Sequence, residues 1–277
     1  DAALEHGVQV PLNDPLALVP IMAQATTHLG FGVTCALTYE HPYTFARRMS
    51  TLDHLTGGRM GWNIVTGYLD SAARNLGLNQ QLGHDERYDL ADEYLEVVYK
   101  LWEKSWDDDA VVNDKARAIY ADPAKVHPIN HAGRHYQVPG IHLCEPSPQR
   151  TPLLYQAGTS PRGTRFAARH AEATFVSGPS KTVVKRYADD LRAAVRQSGR
   201  DGDALLIYAQ ALVITGATAE EARAKHADYL RHVNIEAALV LLSGWTGVDF
   251  SRYPLDATID YIDSPAGRSA LASFSQA

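Results

Sequence analysis

Long hydrophobic runs, basic clusters and cysteine are scarce in this 277-residue sequence. No apolar stretch approaches the roughly 20 residues that a bilayer-spanning helix needs. The opening Asp1-Ala2-Ala3-Leu4-Glu5 has no basic region leading into an apolar one, so neither a membrane span nor an export signal is expected. Lys and Arg (26) are outnumbered by Asp and Glu (32), giving a formal charge of −6 without any basic run. That balance removes support for a nucleic-acid surface or an anionic-membrane patch, and the expected partner is a small molecule. Cys35 and Cys144, the two cysteines, lack metal-ligand spacing and suggest a reducing cytoplasm. Missing too are a GxGxxG turn, a P-loop lysine and a GxSxG elbow, which disfavours NAD, nucleoside triphosphates and a Ser-His-Asp hydrolase. The best-spaced of the twelve histidines, His127/His131 and His131/His135, have no third ligand at a recognisable offset, so no metal site is expected.

What is present is a globular composition, 45% hydrophobic, with strand and helix signals in alternation. Asp14-Pro15 ahead of an apolar run predicts a capped helix to about residue 28. Strands follow at 31–37 and 60–66, with a helix at 45–55 between them that Gly57-Gly58 closes. A polar loop through Gly83 leads to a long helix at about 86–103, and residues 105–150 form a turn-rich excursion read as an insertion. Regularity resumes with strands at 153–157, 173–177 and 205–215, and helices at 161–170, 181–197 and 219–232; residues 233–277 read as a second insertion. Strands separated by helices imply a parallel sheet with helices outside. Five such strands suit either an open doubly wound sheet or a barrel whose outer units lie beyond this sequence, since an eight-stranded barrel takes about 250 residues.

The most informative stretch runs from Tyr155 to Gly163. A strand ends, Gly158 permits a tight turn, Ser160 is a good N-cap and Pro161 suits the first helical position. Backbone N–H groups and the positive helix end then face the space above the strand, which suits the phosphate of a mononucleotide, though an ordinary strand-to-helix turn reads the same way. Trp62-Asn63-Ile64-Val65-Thr66-Gly67-Tyr68 carries polar groups to the C-terminal end of a strand, where Asn63 and Thr66 could bond the edge of a heterocycle or merely satisfy the loop. Thr38-Tyr39-Glu40-His41-Pro42-Tyr43 follows another strand and is rich in groups that donate, accept or stack. His84-Asp85-Glu86-Arg87-Tyr88-Asp89 concentrates charge at a helix start, as first-turn capping alone would.

These motifs, with Arg47-Arg48-Met49-Ser50-Thr51-Leu52-Asp53-His54-Leu55, Gly58-Arg59, Pro146-Ser147-Pro148-Gln149-Arg150-Thr151-Pro152 and Gln156-Ala157-Gly158, resemble in order and spacing the nitrilotriacetate, dibenzothiophene-sulfone and long-chain-alkane branch of the bacterial-luciferase-like flavin monooxygenases. The resemblance runs from about Val8 to Tyr253. It implies an α/β fold, a (β/α)8 TIM barrel with insertions, here a single partial barrel domain without its first two and last strand units. It also implies reduced FMN (FMNH2) delivered by a separate NAD(P)H:flavin reductase. Dioxygen is then the co-substrate, adding to flavin C4a so that one oxygen atom reaches an alkane, organosulfur or aminopolycarboxylate substrate.

On the same resemblance, Thr34, Asn63, Thr66, Gly67, Tyr68 and Tyr88 line the flavin, and Ala157, Gly158, Thr159 and Ser160 take its phosphate. Tyr68, His41 and Gln9 fall on the reacting side, Gln9 near the substrate pocket. Where the alkane enzymes carry histidines, this chain has Tyr68 and, elsewhere, the neighbourhood of Leu241, which sets alkane hydroxylation apart from flavin binding. A cytoplasmic homodimer or homotetramer is implied. The competing expectations are a deazaflavin-dependent hydride-transfer enzyme of the same superfamily and a non-catalytic flavin-binding protein.

Overall fold

The computed structural model describes residues 2–158, 160–178 and 180–257. In chain order these form α1 (Ala2–Glu5), α2 (Val19–Gln24), β1 (Phe31–Ala36), α3 (Pro42–Thr56), β2 (Met60–Val65), α4 (Asp70–Asn75), α5 (His84–Tyr99), β3 (Val111–Asp114), β4 (Ile119–Ala121), β5 (His131–Ala132), β6 (Gln137–Val138), β7 (Leu153–Gln156), α6 (Pro161–His170), β8 (Ala173–Val176), α7 (Lys181–Gln197), β9 (Leu206–Ala209), α8 (Ala219–Arg231) and α9 (Ile235–Thr246). Five strands make one sheet in the order β1-β2-β7-β8-β9, and β3-β4 and β5-β6 are short hairpins inside the 105–150 excursion. Neighbours in the sheet follow chain order. A doubly wound sheet reverses its order at a switch point, whereas the strands of a TIM barrel succeed one another as they do here.

Register sorts the side chains. Phe31 pairs with Met60 and Ala36 with Val65 in parallel, and Gly61 to Ile64 pair with Leu153 to Gln156. Because strand side chains alternate, Val33, Trp62, Ile64 and Leu154 share the face covered by helices and are buried. Phe45 of α3 lies 4.5 Å from Trp62 and 5.8 Å from Tyr94 of α5, so one aromatic cluster ties both helices to the sheet. The opposite face carries Gly32, Thr34, Gly61, Asn63 and Tyr155.

Two compact units divide the chain. The larger holds Asp14–Thr174 and Asp190–Leu206, with the hydrophobic core just described. In the smaller, α9 is capped by Asn234, and His6 beside α1 bonds Glu236 at 3.2 Å.

Several elements differ from the sequence expectation. The helix predicted to run to about residue 28 is a 3-10 turn, Pro15–Leu18, followed by the short α2, because Pro20 has no N–H to carry a helical ladder across the junction. Asp14 caps it as expected, accepting from Leu16 N–H at 2.9 Å. The polar loop before Gly83 contains α4, and α5 ends in a π turn over Lys100–Lys104. The strand expected to reach residue 215 stops at Ala209. Leu212 and Val213 stay largely exposed, since apolar composition makes a strand only where a neighbour completes the ladder. Helix α9 forms in the segment read as an insertion, whose residues from 258 onward lie outside the described ones.

Candidate functional site

Thr34 and Asn63 face each other on β1 and β2, and Tyr155 is Asn63's partner on β7, so the three form one row near the C-terminal ends of the strands. Adjacent strands are about 4.8 Å apart, which makes the row about 10 Å broad. Asn63 donates from Nδ2 to Thr34 Oγ1 at 3.0 Å, while its Oδ1 is buried without a hydrogen-bond partner. The Tyr155 ring lies over two glycines: a Cβ on Gly32 would sit 3.5 Å from its Cε2, and one on Gly61 only 2.7 Å.

The loop after β2 is held by residues outside the expected set. Thr38 Oγ1 donates to the Thr66 carbonyl. Gly67 adopts φ 68°, and a Cβ there would meet Tyr39 Oη at 2.8 Å, so only glycine lets the tyrosine close against the backbone. Gln81 Nε2 donates to the same phenol at 3.1 Å. Tyr68 is about a third exposed, and burial followed by the charge of Tyr39 raises its phenol above the usual range.

The turn after β7 forms the second half. Ser160 Oγ accepts from Gly163 N–H at 3.1 Å and caps α6, with Pro161 in the first turn. Gln156 is buried at the strand end; its Oε1 accepts from Gly158 N–H at 2.7 Å and its Nε2 donates to Tyr88 Oη at 3.4 Å. Cβ atoms on Gly158 and Gly163 would lie 2.6 and 2.7 Å from that phenol oxygen, so both glycines are needed for the close approach. Burial raises the Tyr88 phenol, against bonds from Gln156 and Ser160. Buried Arg87 donates to the Leu82 carbonyl at 2.6 Å; burial lowers its guanidinium, and the phenols of Tyr88 and Tyr39 act the other way. Ala157 is exposed at the turn, and Thr159 lies outside the described residues.

Two expected residues have other roles or surroundings. His41 is the N-cap of α3, its Nδ1 accepting from Tyr43 N–H at 3.2 Å and its ring packed edge-on against Tyr136 at 5.4 Å. Gln9, at φ 57°, belongs to the smaller unit. The histidines considered for metal have other partners: His127 bonds Asp107 at 3.1 Å and His131 bonds Glu93 at 3.3 Å. Among the described residues no group of three or more possible ligands assembles, and both cysteines are free thiols.

A cleft of about 730 Å³ opens elsewhere, between the outer side of α5, the β5 hairpin and the end of α6. Its charged groups are spent on one another. Burial would raise the Asp92 carboxyl, but bonds from His170 and Arg162 outweigh it and hold the group below the usual range.

A family model described as luciferase-like monooxygenase matches residues 2–266. The chain belongs to that family. A luciferase-like relative, the dimethyl-sulfide monooxygenase of Hyphomicrobium sulfonivorans, is 50% identical over 99% of this chain and 57% of its own length. The crystal structure of a long-chain alkane monooxygenase superposes with a TM-score of 0.92 at 50% identity, covering 99% of this chain and 63% of that one. A riboflavin lyase crystallised with modified FMN and riboflavin gives a TM-score of 0.93 at 37% identity, over 99% and 61% of the two chains. The chain thus spans roughly three fifths of the length of these relatives. Among its described residues no helix is long and apolar enough to cross a membrane.

In this luciferase-like chain, sequence reasoning missed Tyr39, Gln81, Gln156 and His84 as parts of the site. Tyr39, His84 and Gln156 lay within the motifs noted but without a signal of what they touch, and Gln81, Gln156 and His84 come into place through contacts across 42 to 76 positions of sequence.

Proposed function

We propose that this chain is the flavin-binding part of a two-component monooxygenase. It takes FMNH2 from a separate NAD(P)H:flavin reductase and directs one atom of dioxygen to a small alkane, organosulfur or aminopolycarboxylate substrate. The observation that carries the reading is the buried, unpartnered Oδ1 of Asn63. A buried acceptor of this kind calls for a donor, and a flavin edge provides N–H groups. The glycine-lined turn before α6 supports the same group: the start of that helix, without an acidic residue in its first turn, suits a phosphate. Similarity to dimethyl-sulfide and long-chain alkane monooxygenases supports the reaction class.

The bound reduced flavin supplies the oxygen-activating chemistry. The protein's part is placement. Asn63 and Thr34 orient the heterocycle, Tyr88 and the turn around Gly158 and Ser160 hold the chain and phosphate, and Tyr155 closes the floor against water. Thr66, Gly67 and Tyr68 form the wall beside the substrate, with Tyr39 and Gln81 fixing the loop. Tyr68 offers a phenol O–H to the reacting side.

The test is FMN titration by fluorescence quenching, followed by oxygen uptake with a flavin reductase and a panel of alkanes, dialkyl sulfides and aminopolycarboxylates. Submicromolar to micromolar FMN binding and oxygenated product in proportion to oxygen consumed are expected. S160D places a carboxylate at the phosphate turn and should abolish FMN binding. Absence of flavin binding in the parent protein, or unchanged affinity in S160D, overturns the reading.

A further inference from the structure

Tyr39 ends the 3-10 turn Leu37–Tyr39 that follows β1, and its ring crosses to the loop after β2. Gln81 meets it there, and the orientation of that amide is settled by its other bond. Gln81 Oε1 accepts from Leu82 N–H at 2.9 Å, so Nε2 is the end that lies 3.1 Å from Tyr39 Oη. Asp70 Oδ1, accepting from Gln81 N–H at 2.9 Å, holds the backbone of the glutamine as well. An amide NH2 group only donates, so the phenol oxygen is the acceptor in this contact and its own hydrogen is directed elsewhere. Among the described residues nothing accepts that hydrogen.

The phenol stands at the end of the sheet that carries chemistry in parallel α/β folds. β1 and β2 are parallel, and Tyr39 and Gly67 both lie just past their C-terminal ends, beyond the Thr34 and Asn63 row. Burial raises the Tyr39 phenol, against the bond from Gln81 and the charge of Arg87, and Tyr68 beside Gly67 is raised by burial as well. Both phenols therefore keep their protons at neutral pH and serve as donors. The wall they share with Thr38, Thr66, Gly67 and Gln81 has no charged side chain, and Arg87 donates to the Leu82 carbonyl.

We propose that Tyr39 selects the substrate at this site, its O–H donating to an uncharged acceptor oxygen such as that of a sulfoxide, sulfone or amide. The inference rests on the function proposed above, whose substrate classes it narrows. A plain alkane has no acceptor and leaves the phenol hydrogen unsatisfied once water is displaced. An aminopolycarboxylate brings several negative charges to a wall that has no cation to pair with them. An uncharged oxygen takes the hydrogen and meets neither obstacle. Gln81 sets the direction, because a phenol oxygen that accepts from the amide donates only on its other side.

Isothermal titration calorimetry with dimethyl sulfone, cyclopentane and iminodiacetate, on the protein with and without FMN and on Y39F and Q81E, tests this. Dimethyl sulfone should bind the parent protein in the millimolar range and more tightly than either of the others. Y39F should weaken the sulfone by about five- to tenfold, the scale of one hydrogen bond, and leave cyclopentane unchanged. Q81E is the sharper variant. Its carboxylate only accepts, so it takes the phenol hydrogen and should weaken the sulfone as Y39F does, although the tyrosine remains. A ring that merely packs against Gly67 would not respond to that change. Sulfone binding that is absent from the parent, unchanged in Y39F or Q81E, or matched by cyclopentane or iminodiacetate overturns the proposal. A protein that takes no FMN removes the flavin reading instead, and the sulfone titrations on the free protein still decide the role of Tyr39.

Discussion

Asn63 gives its amide N–H to Thr34 Oγ1 across 3.0 Å and keeps its amide oxygen buried with nothing to accept from. A buried acceptor left unpaired costs roughly 1–3 kcal/mol. A side chain held at that cost in the middle of a sheet row is placed for something other than the stability of the free protein.

N63A separates the two roles. Removing the amide should weaken FMN and riboflavin alike, by about five- to thirtyfold, because the lost bond belongs to the heterocycle they share. Thermal stability should stay level or rise, since the unpaired oxygen disappears with it. A melting temperature that drops together with flavin affinity would show that Asn63 is a structural residue.

Much of this was legible in the sequence because it is local. The end of β7, the Ser160 cap, Pro161 in the first turn and the end of α6 at His170 all follow from residue preferences within a few positions. Where a single local feature overrode periodicity, as Pro20 did in splitting one helix into two short ones, the boundary moved. The row Thr34, Asn63, Tyr155 depends on strand register, and no single strand carries that information. His84 illustrates the limit best. Its sequence position reads as helix-start charge, and its partner Ser160 is 76 residues away.

The glycine and tyrosine on the open sheet face are coupled. G61A puts a Cβ 2.7 Å from Tyr155 Cε2 and 3.3 Å from the Leu153 carbonyl, so the ring must shift or the strands part. Chemical denaturation should show a loss of about 1–3 kcal/mol, the usual range for overpacking. Y155A removes the obstacle, and the double variant should be less destabilised than the sum of the singles. Simple additivity would contradict the packing described.

Arg59 gathers carbonyls from α2, the loop after it and α3. Nε donates to Thr56 O at 2.7 Å, Nη1 to Thr26 O at 3.0 Å and Leu29 O at 3.1 Å, and Nη2 to Ala23 O at 3.1 Å. These include the end of α2, whose last carbonyls have no helical partner. R59A should cost about 3 kcal/mol in urea unfolding, the scale of bonds to a charged donor net of replacement by water. R59K should recover less than half of that, because an ammonium cannot reproduce the planar fork. Equal stability of R59K and the parent would argue against the fork.

His142 should make stability fall in acid. Burial pushes its imidazole from 6.5 down to about 4, with Nε2 3.0 Å from Ser50 Oγ and Nδ1 buried without a partner. Below pH 6.5 the unfolded chain takes up a proton that the folded chain refuses until about pH 4. The stabilisation is therefore fully present above pH 6.5 and is lost as the pH falls toward 4, by about 3 kcal/mol in total, with no further change from this group below that. H142Q retains a polar partner for Ser50 and cannot titrate. Urea midpoints followed from pH 7 to 4 should converge for the two proteins, because H142Q lacks this part of the decline; parallel curves would mean that the buried imidazole is not the group responsible.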